Sequence, residues 1–494
     1  MLLLRDDGAR AGMVALAECH LATIRDVHAG RGDLRALQAR KLVDTLAAAA
    51  HSKLYADSLS EWRDDTVISQ ARRIPAEELL YETFSSLPML GRGELRKRSR
   101  DALTRQIDSF VHYYESSGTT GDPVAAPKAA DDLVVNTVNI GEMWARLIGP
   151  GDSALILING PFAPAGYQFE KVLEYLGVMS VRLWVDNVTG DYTRVLRLTR
   201  ELSVNTYVGS ASRLLELLHF ALRRGVLMPR FDQLLLMAEQ TGPDFLRHLE
   251  KLTGAKAYVG CYGSSETGTT AVTCEMGRLH LQTQSFVFEL HDERATRLVD
   301  GAVGDTGELV VTTLDLPARP LVRYRTGDLV EVTGIPCMCG LATPVVRTLG
   351  REQDVLRLAG DGVRQEDFEA VLWSDNDGPS VLNYMLVHRG IDVVCLVTTD
   401  REPDKAWTAA ATQRLGPLFD GHRFAVATVD TLPPLAAQGS YVGWKLSRVL
   451  DLDDSGMWDR LPPPIDAVVA ATLADIEAVT GLRPAQLTKA REGS

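Results

Sequence analysis

The sequence has few cysteines, no long apolar run and no cluster of basic residues. Six cysteines among 494 residues are too few for a disulfide framework. Apolar runs such as residues 154–158 are far shorter than a membrane span, and the first ten residues are not apolar enough for a signal peptide. The net charge of -13 repels nucleic acid and anionic lipid. We therefore expect a cytoplasmic protein with neither nucleic acid nor a membrane as a partner.

The composition is typical of a folded enzyme with more than one domain. Apolar residues make up 45% of the chain and charged residues 24%, which is close to the average for globular proteins and unlike extended disorder. The length exceeds that of one ordinary domain. The chain therefore has enough residues for two or more hydrophobic cores.

Hydrophobic patterning changes twice along the chain. From Ala154, short apolar runs alternate with helical segments at least four times, which predicts a mostly parallel sheet covered by helices. Such sheets bind ligands at the carboxyl ends of their strands. After Gly263, strands follow one another without helices, which predicts an antiparallel sheet or a small barrel. Past Gly350, helices near 365–373 and 405–418 with a hairpin between them predict a small α+β domain.

We therefore predict an α/β protein of two domains. Residues 1–353 would form a large N-terminal domain, with mostly parallel sheets flanked by helices and a β-barrel-like appendage. Residues 354–494 would form a small, mobile C-terminal α+β domain that turns about a hinge near Asp354. Apolar residues on one face of segment 465–480 predict an extra terminal helix, which either docks on its own domain or offers a surface to a partner.

Four motifs carry residue types that suit nucleotide chemistry. They are SSGTTGDP at 116–123, YGSSE at 262–266, YRTGD at 324–328 and GREQD at 350–354. In the first motif, glycines let backbone amides approach an anion and the hydroxyls add donors, so we name residues 116–123 the phosphate loop. It is not a Walker A loop, because GK[ST] is missing. Taken alone, such a segment is more often an ordinary surface loop.

In this order the motifs resemble the adenylate-forming superfamily of acyl-CoA synthetases, luciferases and peptide synthetase adenylation domains. The segment AEQTGPDFLRHLE, ahead of YGSSE, is similar to the phenylacetate-coenzyme A ligase branch. The resemblance covers roughly residues 30 to 452. It implies that ATP and Mg²⁺ activate an aromatic carboxylic acid as acyl-AMP with release of pyrophosphate. It also implies transfer of the acyl group to coenzyme A.

The resemblance assigns roles to the residues that match its motifs. Glu266 would hold Mg²⁺, and Lys445, with Thr119 and Thr120 of the phosphate loop, would act on the reacting groups. Contacts to ATP are implied for Ser116, Ser117, Gly118 and Gly121 in the phosphate loop, for Ala238, Glu239, Tyr262 and Gly263 around the adenine, and for Asp328 and Arg351 at the ribose and phosphates. The alternative for Lys445 is a solvated surface lysine, because Trp444 departs from the usual Gly-Lys pair. Asp122 stands where many relatives have a lysine, and we expect weaker ATP binding for that reason.

Four metal-ligand residue types lie in two short segments. Cys274 and His280 frame CEMGRLH, and PCMCG places Cys337 and Cys339 two positions apart. Three cysteines and one histidine make a complete tetrahedral set for structural zinc, and some phenylacetate-ligase relatives resemble this arrangement. The alternative is a set of unliganded buried thiols. The remaining cysteines, in apolar runs, are predicted to belong to the core: Cys19, Cys261 and Cys395.

The sequence indicates the acid pocket and the acyl acceptor less clearly than it indicates the nucleotide site. The resemblance implies a pocket near Phe162, Tyr167, Tyr207 and Gly209, where aromatic rings suit a flat acid. The same aromatic residues are more often core. Coenzyme A is the expected acceptor, with an amine, a carrier-protein thiol or another nucleophile as alternatives. A non-catalytic nucleotide-binding relative is a further alternative, and a homodimer is implied by similar ligases.

Overall fold

The computed structural model describes most of the chain. The described residues are 4–116, 124–158, 160, 163–299, 304–351, 362–374, 378–434, 448–454 and 466–483. Among the helices in these ranges, none is long and apolar enough to cross a membrane.

Thirteen α-helices are present in these described ranges. They are α1 (Asp7–His28), α2 (Leu34–Ala49), α3 (Asp65–Ala71), α4 (Ala76–Glu78), α5 (Arg92–Lys97), α6 (Ala130–Trp144), α7 (Ala165–Leu176), α8 (Thr193–Glu201), α9 (Ala211–Arg223), α10 (Pro243–Thr253), α11 (Gln365–Leu372), α12 (Lys405–Leu415) and α13 (Asp466–Thr480). Side chains before several of them accept hydrogen bonds from the first turn. Asp6 does so at α1, Asp33 at α2 and Ser210 at α9.

Seventeen strands accompany these helices. They are β1 (Ser153–Leu157), β2 (Met179–Arg182), β3 (Thr206–Gly209), β4 (Gln233–Leu236), β5 (Lys256–Val259), β6 (Cys261–Ser264), β7 (Gly268–Thr273), β8 (Leu279–Leu281), β9 (Phe286–His291), β10 (Thr296–Leu298), β11 (Asp305–Thr313), β12 (Tyr324–Thr333), β13 (Val345–Arg351), β14 (Val381–Arg389), β15 (Asp392–Thr399), β16 (Arg423–Thr428) and β17 (Val449–Asp451). They form three sheets.

The chain divides into two compact units, and the first is built around an antiparallel sheet. This unit comprises Met1–Asp152, Phe162–Ser180 and Val259–Glu352. Its eight strands follow the order β10-β9-β11-β12-β13-β8-β7-β6. In the described ranges the strands predicted after Gly263 therefore form an antiparallel sheet, the first of the two predicted alternatives, and not a closed barrel.

The second unit contains a parallel sheet and a smaller mixed one. It comprises Ser153–Pro161, Val181–Tyr258 and Gln353–Ser494. The five-stranded sheet has the order β2-β1-β3-β4-β5, in which β3 pairs in parallel with both β1 and β4. Its buried apolar strands alternate with helices, which confirms the predicted α/β class. The four-stranded sheet has the order β16-β15-β14-β17, and the β14–β15 pair is the predicted hairpin.

The terminal helix docks on its own unit. Val469, Leu473 and Ile476 of α13 are buried in a cluster with Met385 and Leu450. Because the apolar face of α13 is covered in this way, the described part of the helix uses it for intramolecular packing.

Two features of the fold differ from simple readings of the sequence. The long helix α1 lies ahead of residues 33–54, the first stretch in which the sequence shows helical periodicity, and Cys19, predicted to be core, is exposed on α1. The amphipathic periodicity of α1 is weak, and its covered face includes the polar His20. The division into compact units also does not follow the predicted boundary, since the strands and helices between residues 181 and 258 group with the residues after 352. The hinge near Asp354 lies outside the described residues and stays a prediction.

Candidate active site

Glu266 lies in the tight turn between β6 and β7. A side chain at Gly263 would come within 2.2 Å of the carbonyl oxygen of Gly268, so only glycine allows the strands to approach this closely. Gly268 has a φ of +76°, and the Ser264 hydroxyl accepts the backbone N–H of Thr267. Glu266 itself is 4% exposed. The turn therefore holds one carboxylate in a fixed, largely enclosed position.

Tyr262 and Asp328 meet on neighbouring parts of the same unit. The Tyr262 hydroxyl donates a hydrogen bond of 2.7 Å to Oδ2 of Asp328. Asp328 is paired in register with Arg351, the last residue of β13, so the backbones of these two predicted ligands are adjacent. Three residues that lie far apart in the sequence are thus brought together by strands β6, β12 and β13.

The ends of the phosphate loop are held by a short two-stranded stem, which we define as residues 112–116 and 124–128. Its bridges join His112 to Lys128 and Glu115 to Ala125. The Ser116 hydroxyl accepts the backbone N–H of Val124 at 2.8 Å. Ser116 therefore closes the base of the loop with its side chain.

The second unit contains Ala238 and Glu239 directly after β4. Ala238 has a φ of +74°, a conformation that is strained for any residue with a Cβ and that recurs at functional sites. The partly buried Glu239 carboxylate accepts hydrogen bonds from the backbone N–H and the hydroxyl of Ser212 at the start of α9. Burial raises the pKa of Glu239, while Arg448 and the Ser212 donors oppose the rise.

The predicted pocket residues lie in different surroundings. The half-buried ring of Tyr167 packs on His112 of the stem, with 4.3 Å between ring centroids. In the second unit, Tyr207 is fully buried in the core and its hydroxyl donates to the carbonyl oxygen of Ser210. A Cβ at Gly209 would lie 2.6 Å from the Tyr207 hydroxyl oxygen, so the two positions are packed against each other.

Several predicted site residues fall outside the described ranges. They are Ser117, Gly118, Thr119, Thr120, Gly121, Phe162 and Lys445. The backbone of Arg351 is described within β13, and its role stays a prediction.

The predicted zinc ligands converge in the first unit. The ligand atoms of Cys274, His280, Cys337 and Cys339 all lie within 4.8 Å of one another. The sulfur atoms of Cys274 and Cys337 are 3.8 Å apart, and Cys339 Sγ is 3.3 Å from His280 Nε2. A tetrahedral zinc ion with Zn–S bonds of about 2.3 Å places sulfur atoms about 3.8 Å apart. We name this group the Cys₃His cluster.

The surroundings of the Cys₃His cluster suit a cation. His280 Nδ1 lies 3.0 Å from the carbonyl oxygen of Thr343, which leaves Nε2 directed at the thiols. Burial lowers the pKa of His280 and raises the pKa of Cys339 to about 12. The imidazole is therefore neutral at pH 7, and the sulfur atoms become thiolates when a cation balances their charge.

The sequence motifs did not single out three charged residues beside Glu266. Arg319 and Lys128 are 3% and 7% exposed, and each interacts electrostatically with the Glu266 carboxylate. Asp132 is also buried and interacts with Lys128. Their only sequence signal is position, since Arg319 comes shortly before YRTGD and Lys128 shortly after the phosphate loop.

Comparison with known proteins adds to this geometry. No protein-family model matches the chain. It is 28% identical over 385 residues to a phenylacetate-coenzyme A ligase of Thermus thermophilus, which covers 71% of this chain and 82% of that protein. A phenylacetate-coenzyme A ligase of Pseudomonas putida is 26% identical over 305 residues, 58% of this chain and 66% of that protein. The chain is therefore similar to phenylacetate-coenzyme A ligases, the branch that its motifs resemble.

A solved structure has a similar fold. A 2-hydroxyisobutyryl-CoA ligase, solved in the postadenylation state in complex with 2-HIB-AMP, superposes with a TM-score of 0.68 over 88% of this chain and 91% of that chain. The two sequences are 17% identical. This likeness shows the shared fold, and the curated relatives confirm the similarity to the phenylacetate-coenzyme A ligase branch of the superfamily.

Proposed function

We propose that this protein activates an aromatic carboxylic acid with ATP and transfers the acyl group to coenzyme A. The observation that carries the proposal is the joining of Tyr262, Asp328 and the Arg351 backbone across three strands, with Glu266 in the adjoining turn. Phenylacetate-coenzyme A ligases, to which the chain is similar, support an aryl or arylacetic acid as the substrate.

In the first half-reaction the substrate carboxylate would attack the α-phosphorus of ATP, and pyrophosphate would leave. No general base is needed, because a carboxylic acid is already ionised at neutral pH. Glu266 would hold Mg²⁺, which neutralises phosphate charge when bound. Lys445 would donate to the developing charge on the α-phosphate, with Thr119 and Thr120 as further donors.

Nucleotide recognition would use the residues that match the family motifs. Asp328 can accept hydrogen bonds from both ribose hydroxyls, and the Tyr262 hydroxyl fixes the direction of its carboxylate. Arg351 would pair with ribose or phosphate oxygens. Ala238, Glu239 and Gly263 would line the adenine, and the phosphate loop from Ser116 to Gly121 would enclose the phosphates.

The acid would bind beside Tyr167, with Phe162, Tyr207 and Gly209 as further pocket residues. Tyr167 supports this placement, because its half-buried ring lies against the stem of the phosphate loop. In the second half-reaction the thiol of coenzyme A would attack the acyl carbon and AMP would leave. A rotation of the small domain about the hinge near Asp354 would precede that step.

We also propose that the Cys₃His cluster binds zinc as a structural ion. Its four ligand atoms, the 3.8 Å sulfur separation and the engaged Nδ1 of His280 fit a closed tetrahedral site. A closed site has no open position for a substrate, so the ion would stabilise the sheet. A cytoplasmic location and a homodimer complete the proposal as predictions from the sequence.

A second candidate function differs from the first in the molecule that accepts the acyl group. An adenylating ligase with an amine, a carrier-protein thiol or another nucleophile as acceptor would share the whole first half-reaction. A non-catalytic relative would bind nucleotide alone.

One experiment separates these functions. We would measure pyrophosphate release with MgATP over a panel of aryl and arylacetic acids, with and without coenzyme A, and identify products by mass spectrometry. The proposal predicts an aryl-CoA product. Pyrophosphate release without a CoA adduct would indicate another acceptor. No release with any acid, from a protein that an ATP analogue still stabilises against heat, would favour the non-catalytic relative.

A further inference from the structure

Arg319 joins two segments that the proposed nucleotide site depends on. One arm of its guanidinium, Nη1, donates to the carbonyl oxygen of Ala125 in the stem at 3.2 Å. The other arm, Nη2, donates to the carbonyl oxygen of Glu266. A single side chain therefore ties the base of the phosphate loop to the turn that carries the predicted Mg²⁺ ligand.

The charges around Arg319 make this link more than a packing contact. Glu266 and Asp132 supply two buried negative charges, and Arg319 and Lys128 supply two buried positive charges. The pKa of Lys128 is lowered to about 8, first by burial and then by the charge of Arg319, while Asp132 and Glu266 oppose the change. A buried guanidinium keeps its charge, so Arg319 stays positively charged among these four side chains.

Asp132 shows that the group is tightly enclosed. Its Oδ2 accepts the backbone N–H of Ala129, whereas its Oδ1 is buried and has no hydrogen-bond partner among the described residues. Burial raises the pKa of Asp132 to about 6, and the like charge of Asp131 adds to the rise, while Lys128 and Arg105 oppose it.

We propose that Arg319 is a positioning residue for the metal–nucleotide complex, because it fixes the phosphate-loop stem relative to Glu266. The inference rests on the proposed function for the identity of the ligand. It assigns Arg319 no contact with ATP. Its effect would pass through the two carbonyl oxygens that it binds, in the way that outer residues orient metal ligands.

Arg319→Lys is the direct test, since it keeps the positive charge and removes the fork that reaches both carbonyl oxygens. Arg319→Gln keeps a donor and removes the charge, and it serves as the second variant if the first does not fold. The readouts are the KM for MgATP, the KM for the acid, and Mn²⁺ affinity by electron paramagnetic resonance with a non-hydrolysable ATP analogue. Loss of an orienting residue weakens metal binding by about 10- to 100-fold. We expect a loss of about tenfold for MgATP and Mn²⁺, with the KM for the acid within about twofold.

Arg323→Lys is the matched control. Arg323 is equally buried and donates to the carbonyl oxygens of Ser85 and Leu87, but its carboxylate partner is Glu289. We expect this control to lower Tm and to leave Mn²⁺ affinity unchanged. A folded Arg319→Lys protein with wild-type Mn²⁺ affinity would overturn the inference, as would an equal loss of affinity in Arg323→Lys.

The inference and the proposed function fail in different ways. A wild-type protein that binds the Mn²⁺–nucleotide complex without releasing pyrophosphate would contradict the proposed reaction, and the role of Arg319 would still be read from the affinities. A wild-type protein that does not bind the complex would contradict both.

Discussion

The Cys₃His cluster and the Glu266 turn lie on the same antiparallel sheet, but they differ in how many of their proposed ligand-binding groups lie together. All four ligand atoms of the cluster come from β8 and the segments that flank β7 and β13, and they already converge. Glu266 provides one carboxylate, and nucleotide binding would require residues from several other segments. The ligand atoms of the first arrangement already lie together, whereas the second would be completed by a substrate.

This difference separates stability from activity. A closed metal site contributes to the free energy of folding and can be removed without touching the reaction. A carboxylate that holds a metal–nucleotide complex would contribute mainly to the reaction. Substitutions at the two places should therefore change different measured quantities.

The largest effect is expected for Cys337→Ser. Loss of one thiolate removes the zinc, and the free energy of unfolding should fall by about 5 kcal/mol or more. Elemental analysis would give one zinc per wild-type chain and none in the variant, and differential scanning calorimetry would give the loss of Tm. Cys395→Ser, at a buried cysteine outside the cluster, is the control that should retain the zinc. A zinc-free wild-type protein with the same Tm as the variant would contradict the prediction that the Cys₃His cluster stabilises the fold by binding zinc.

Glu266→Gln should have the opposite profile. It keeps the shape of the side chain and removes the charge that would hold Mg²⁺, so kcat should fall by about 10²- to 10³-fold, or about 3–4 kcal/mol. The Tm should fall less than in Cys337→Ser, because Asp132 remains as a negative charge that interacts with Arg319 and Lys128. Pyrophosphate release measured against Mg²⁺ concentration would check this, with Glu331→Gln, an exposed carboxylate paired with Arg347, as the control. A variant that loses Tm and keeps kcat would show that Glu266 is a structural residue.

The sequence predicted the Cys₃His cluster from residue types and spacing. Cys274 and His280 flank a turn between neighbouring strands, and Cys337 and Cys339 lie in the loop before β13, which pairs with β8. Local strand pairing therefore brings the two motifs together. The family motifs assigned Tyr262 and Asp328 to the same nucleotide, but the hydrogen bond between them was not predicted, since no local pattern links residues 66 positions apart.

Arg319 and Lys128 could not be predicted in the same way. A buried cation has no periodic signal, and its burial depends on the approach of the stem, α6 and the β6–β7 turn in three dimensions. The exposed Cys19 illustrates the reverse error. An apolar neighbourhood in sequence predicted core, but the face of α1 that carries Cys19 is left open to solvent.

A buried carboxylate outside both sites shows how much a buried charge lowers the stability of the folded state when no ligand binds it. Glu369 in α11 is fully buried, and Oε1 accepts hydrogen bonds from Tyr384 and Gln365 while Oε2 has no partner among the described residues. Burial raises its pKa from 4.5 to about 7, although Arg448 and the two donors oppose the rise.

The sign of the pH dependence follows from that shift. The folded state favours the protonated acid, so its contribution to stability is complete below the ordinary pKa and is lost as the pH rises through about 7. Glu369→Gln should remove this loss, and its stability relative to wild type should rise by about 3 kcal/mol between pH 4 and pH 8. Urea unfolding at both pH values checks this. Parallel stability profiles for the two proteins would contradict it.

The smallest effect concerns the hydrogen bond between Tyr262 and Asp328. Tyr262→Phe removes the hydroxyl that orients the carboxylate and keeps the ring, so the KM for ATP should rise about fivefold, or about 1 kcal/mol, with kcat unchanged. Tyr175→Phe removes a comparable hydrogen bond to Glu142 in the same unit and should leave the KM for ATP unchanged. Equal KM values for ATP in both variants would show that the Tyr262 hydroxyl stabilises the sheet and does not affect ATP binding. A rise in the KM for ATP that occurs only in Tyr262→Phe would indicate that the substrate site includes Asp328 as well as Glu266.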